Sequence, residues 1–136
     1  MNNLIGGGGT APLALLQRIE ESEEKLENIG TVYGGNFPSV NLVGGEYKEI
    51  AQIEVPPGTY LLIGSSQLNV SVDSTFVLSL DNSVVIRFSG LGGGGASASI
   101  VKKTDTTKIF RMSMYKPNIS TPVQNAGTYF QAIRIK

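Results

Sequence analysis

The hydrophobic period of this chain changes at Gly30, and that change limits the fold more than any other feature. Between Ala11 and Ile29 there is no glycine and, after Pro12, no proline. Positions 12, 15, 19, 22, 26 and 29 alternate spacings of three and four, placing Pro12, Ile19 and Leu26 at a and Leu15, Ser22 and Ile29 at d of a heptad. From Tyr47 onward the period is two. A helix followed by an all-β domain is therefore expected, and 136 residues leave room for one such domain and a small appendage.

The helical seam is apolar except at Ser22. Arg18 falls at g and Glu23 at the following e, the relation that joins parallel chains in register. The competing reading is an amphipathic helix packed on its own domain. Dense outward charge (Glu20, Glu21, Glu23, Glu24, Glu27) and a narrow apolar stripe favour a coiled coil over residues 11–29. A helix of about 18 residues is marginal alone, so the next domain must help to hold the bundle. Its stoichiometry stays open on the heptads: Leu15 at d and Ile19 at a favour two strands, whereas Leu26 at a and Ile29 at d favour three or four.

Ahead of the helix, residues 1–10 end in Gly6 to Gly9 and read as a flexible attachment segment, with Met1, Asn2, Asn3, Leu4 and Ile5 as the contact residues. Behind it, residues 30–46 carry five glycines and Pro38 and read as a connector. Residues 47–136 then supply about eight strands: Lys48 to Val55, Thr59 to Ile63, Leu68 to Val72, Phe76 to Leu80, Val84 to Phe88, Ala96 to Val101, Phe110 to Met114 and Thr128 to Ile135. Turn signals such as Pro56-Pro57-Gly58 and Asp81-Asn82-Ser83 separate them. Eight antiparallel strands in a sandwich suit a jelly roll.

Composition removes most chemistry. The chain has no cysteine and no histidine, which excludes disulfides, thiolate metal sites and the usual general base. Gly90 to Gly95 satisfies G-x-G-x-x-G, but Ala96-Ser97-Ala98-Ser99 alternates like a strand, and a phosphate site needs a helix there. A carboxylate pair from Glu46, Glu49, Glu54, Asp73, Asp81 and Asp105 is the remaining catalytic option, and three of these sit in turn contexts. No enzyme, cofactor or metal site is expected. Acids and bases number eleven each, and no apolar run reaches the roughly 18 residues that span a bilayer, so neither nucleic acid nor membrane insertion is expected. Residues 102–136 hold seven bases and one acid, an excess expected at solvated faces or strand ends. Arg111 is the exception, expected half-buried at a contact between subunits.

Two segments, Glu54-Val55-Pro56-Pro57-Gly58-Thr59-Tyr60-Leu61-Leu62-Ile63 and Gly127-Thr128-Tyr129-Phe130-Gln131-Ala132-Ile133-Arg134-Ile135, resemble strands of the trimeric jelly-roll heads of the complement C1q and tumour-necrosis-factor type. The aromatic-glycine ending of that family is missing, since the chain stops on Arg134-Ile135-Lys136. With the glycine tether and short coiled coil, the architecture is similar to small trimeric appendages of tailed bacteriophages: head fibres, collar fibres or receptor-binding tips. The resemblance implies a homotrimer on a virion, made in the host cytoplasm, joined through its N-terminus to capsid, collar or tail proteins. Its head would bind a cell-surface glycan or protein, with Gly92, Gly93, Lys116, Asn118 and Gln124 as candidate loop residues. A free lectin-like module and a capsid-stabilising decoration protein are the alternatives.

Overall fold

The computed structural model describes residues 10–136, without the side chains of residues 10, 11 and 24–27. The expected attachment segment (Met1 to Ile5), the glycine tether and the side chain of Leu26 lie outside the described residues. Helix α1 spans Thr10–Asn28. Gly30 ends it at φ 87°, a left-handed C′ position that glycine adopts without a Cβ penalty.

Eight strands follow: β1 (Val32–Phe37), β2 (Glu46–Val55), β3 (Gly58–Leu68), β4 (Thr75–Leu80), β5 (Val84–Ser89), β6 (Gly95–Thr104), β7 (Lys108–Lys116) and β8 (Asn125–Arg134). They form two four-stranded antiparallel sheets, ordered β1-β8-β3-β6 and β2-β7-β4-β5. The protein is thus a mainly β, two-sheet sandwich. Alternate residues turn inward, as period two requires: Tyr60, Leu62, Phe76, Leu78, Leu80, Phe110, Met112, Met114, Phe130 and Ala132 are wholly buried between the sheets. A bulge between Glu49 and Ala51 lets consecutive Ile50 and Ala51 both enter this core. Rings of Tyr33, Tyr60 and Phe110 meet edge to face at 6.0 and 6.1 Å. The Tyr60 hydroxyl donates to Pro56 O at 2.7 Å, and burial raises its pKa above the ordinary tyrosine value.

Three sequence expectations need correction. The stretch 30–46 is not only a connector: it contains β1, whose residues pair with β8 from Val32↔Ile133 to Phe37↔Thr128. Gly34 and Gly35 both sit inside this strand with positive φ, and at Gly34 the surroundings are crowded as well. A Cβ on Gly34, at φ 87°, would collide with the Phe130 carbonyl oxygen and stand 2.5 Å from Ile53 Cδ1. The second correction concerns Leu68 to Val72, which are not a separate strand. Leu68 ends β3, and residues 69–74 carry the chain from one sheet to the other, with Val70 and Val72 half-buried on the core edge. The third is Lys116, which closes β7 and is buried instead of standing in a mobile loop.

Gly34→Ala should destabilise the fold by about 1–3 kcal/mol, from left-handed strain plus the carbonyl clash. Urea unfolding should show a lower midpoint with an unchanged slope; an unchanged midpoint would mean that β1 tolerates a side chain there.

Candidate functional site

Strict antiparallel alternation sorts the connections into two ends. The links 56–57, 81–83 and 105–107 lie at the end where α1 joins β1 and where β8 finishes; the links 38–45, 69–74, 90–94 and 117–124 lie at the other. Near the helix, Gly30 N–H donates to Arg134 O at 2.7 Å and Thr59 N–H to Lys136 O at 2.9 Å. Asp81 and Asn82 form the β4–β5 turn with φ of 48° and 55°. The mostly buried Asp81 carboxylate holds both Lys102 Nζ and Lys108 Nζ at 3.3 Å, while Lys103 and Asp105 face each other at 3.8 Å in solvent. The basic residues of the C-terminal third therefore gather mainly at the helix end.

Distal loops are nearly uncharged, with Asp73 their sole ionisable residue. They are tied together by backbone hydrogen bonds: Leu42 N–H to Val123 O at 2.9 Å, Asn69 N–H to Gln124 O at 3.1 Å and Leu68 N–H to Gly94 O at 3.0 Å. Side chains reinforce this. Asn69 Nδ2 donates to Gln124 Oε1 at 2.9 Å, and the Gly92 amide donates to Ser71 Oγ at 2.6 Å. Beneath them Asn125, wholly buried, accepts from the Val40 amide at 2.6 Å and donates to Ser66 Oγ at 3.5 Å and to Thr128 Oγ1. A cleft of about 500 Å³ opens above, lined by Asn41, Leu42, Asn69, Pro122, Val123 and Gln124.

Of the sequence-derived loop candidates, Gly92, Gly93, Asn118 and Gln124 lie at this distal end, and Lys116 does not join them as an exposed group. Asn118 covers the Gly44 and Gly45 turn, and only Gln124 lines the cleft. Its partners Asn41 and Asn69 were missed, because pairing between residues so distant in sequence leaves no local signal. Arg111 is exposed and meets Glu49 at 3.3 Å within its own chain.

Along α1, Leu13, Leu15, Leu16 and Ile19 are 45–60% exposed, and Ile29 just beyond it 47%. Arg18, Ser22 and Glu23 are exposed too. Packing of this helix on its own domain, the competing expectation, would have buried that stripe. The outward face of the β1-β8-β3-β6 sheet carries a further apolar row, Val32↔Ile133↔Leu61↔Val101, spanning all four strands. Val32 and Val101 on its edges are 49% and 55% exposed. No helix among the described residues is long and apolar enough to cross a membrane. No protein-family model matches the chain, and no curated protein matches it in sequence.

Replacing Asn125 with Ala should cost about 1–3 kcal/mol by stranding the Val40 amide, while the Ser66 and Thr128 hydroxyls lose the Asn125 donor but keep each other at 3.1 Å. Amide hydrogen exchange at Val40 and Leu42 should accelerate more than at Leu62 in the core. Equal acceleration at all three would show that Asn125 supports the whole sandwich and not the distal loops in particular.

Proposed function

We propose that the protein is a structural display module: a parallel homotrimer, fixed to a larger particle by its N-terminal segment, that holds a β head outward for contact with a cell surface. The observation that carries this reading is an apolar helical stripe left exposed among the described residues, at the end of the sandwich opposite the long loops. Exposed stripes of this kind mark association sites. Residues Leu15, Ile19, Ser22, Leu26 and Ile29 would form the seam of a coiled coil, with Arg18 of one helix facing Glu23 of the next.

Three chains can bury more than the helices. The row Val32, Ile133, Leu61 and Val101 begins three residues after Ile29, on the sheet whose edge strand the helix enters. We assign this face to contact between copies. The strand order supports a jelly-roll reading: every connection except the β4–β5 hairpin crosses between the two sheets, as double Greek keys do. Such a trimer, attached through Met1 to Ile5, has the layout of a short virion fibre or spike on a tailed bacteriophage, with host adsorption as the role of the head. Three arms on flexible glycine tethers would gain avidity from linked contacts.

Light scattering at micromolar concentration should give three times the 14.4 kDa chain mass. The variant Ile19→Asp/Leu26→Asp should lose helical signal yet stay trimeric, whereas Leu61→Asp should dissociate. A wild-type monomer would overturn the reading, and a monomeric double variant would move the main contact from the head to the stalk.

Deleting residues 1–9 should leave a folded trimer that no longer joins the particle, scored by co-sedimentation with virions assembled in its presence. Normal incorporation of the deletion variant would reverse the polarity and make the head the anchoring end.

A further inference from the structure

On the outward face of the β2-β7-β4-β5 sheet, Tyr47 of β2 stands directly opposite Tyr115 of β7, with ring centroids 5.2 Å apart and planes inclined by 53°. Tyr47 is 55% exposed. The next row along the same face sets Ser113 opposite Ser79, and Ser79 opposite Val85. Together with Asn82 from the β4–β5 turn, Tyr47, Ser79, Val85 and Ser113 line a cleft of about 290 Å³. Ser79 is only 3% exposed, yet its hydroxyl has no hydrogen-bond partner among the described residues, and neither has that of Ser113. Both residues line the cleft, where their hydroxyls keep contact with solvent and are free to bond a ligand that displaces it.

We propose that this cleft is a binding site for a neutral sugar residue. An exposed tyrosine ring offers a rigid apolar face with a polar tip. A pyranose has the matching surface, with one face of C–H groups and a rim of hydroxyls. Stacked against Tyr47, its rim would reach the Ser79 and Ser113 hydroxyls and the Asn82 amide, each able to donate and accept. A cleft with an apolar wall and a few convergent polar groups is the usual form of a small-molecule site. Charge on the ligand is not called for. All five lining residues are neutral, and of the nearby charged groups on this face Glu49 and Arg111 neutralise each other at 3.3 Å, leaving Arg87 opposite Val77 outside the lining. The site lies on the flank of the sandwich, apart from the distal loops, and does not depend on attachment to a virion.

The test is a ¹⁵N–¹H NMR titration of the full chain with glucose, galactose, mannose, N-acetylglucosamine and their common disaccharides, each to about 50 mM to cover millimolar dissociation constants. At least one sugar should move the amides of Tyr47, Ser79, Val85, Ser113 and Tyr115 while leaving those of the distal loops in place. Tyr47→Ala should weaken that binding at least tenfold, and Ser79→Ala severalfold, with unchanged melting temperatures. The second variant removes a hydroxyl without a partner, so its fold is safe should the first variant misfold. No movement of these amides with any sugar would overturn the proposal. So would affinity unchanged in both variants, or a Tyr47→Ala protein that alters oligomeric mass and shows no sugar response, which would make the tyrosine pair a protein contact.

Discussion

Apolar side chains from alternate positions of eight strands meet between two sheets, and the rest of the molecule is arranged by the need to close that interface. Phe76, Phe110 and Phe130 with Tyr60 fill its centre, and Leu62, Leu78, Leu80, Met112 and Met114 pack around them without exposure. Because every strand runs antiparallel to its neighbours, closing the interface also divides the connections. Tight turns fall beside the helix and long loops fall opposite. The separation of short turns from long loops is thus a consequence of strand alternation, and no dedicated motif is needed to produce it.

What the interface leaves uncovered is as informative as what it buries. Among the described residues three surfaces leave apolar or aromatic groups exposed or half-exposed: the α1 stripe, the row Val32, Ile133, Leu61 and Val101, and the Tyr47 and Tyr115 pair. Scattered single hydrophobes on a surface need no explanation, whereas ordered rows do. The two rows near the helix end are apolar apart from Ser22 and belong to self-association on our reading. The tyrosine pair differs because hydroxyls without partners lie beside it, and that mixture suits a sugar better than a protein core.

Period two made most strands legible in the sequence, since Phe76, Leu78 and Leu80 or Phe110, Met112 and Met114 point one way only if the backbone is extended. Failures came where a local signal had a non-local cause. Gly34-Gly35 reads as loop, yet both lie inside β1, where Phe130 O and Ile53 leave no room for a side chain on Gly34 and Gly35 takes a positive φ. Val70 and Val72 alternate with polar residues, yet Asn69 pairs with Gln124 and turns the chain toward the other sheet. An expected count of about eight agreed with the structure although one expected strand was absent and one real strand unforeseen. Neither the amide cleft nor the tyrosine cleft could be read beforehand. Asn69 meets Gln124 and Tyr47 meets Tyr115 only through the register of strands far apart in sequence.

Parallel self-association of α1 is the claim on which the functional account rests, and pulsed electron spin resonance addresses it directly. The chain contains no cysteine, so one introduced residue carries the only label. Labels at Gln17→Cys and, separately, Glu24→Cys occupy equivalent outer heptad positions. For parallel helices in register, both should give the same interchain distance, under about 40 Å given interaxial spacings of about 8–10 Å plus the label arms. Distances that differ between the two positions would mean antiparallel or staggered helices, and the absence of any dipolar modulation would mean that the helices do not meet; either result would contradict the account.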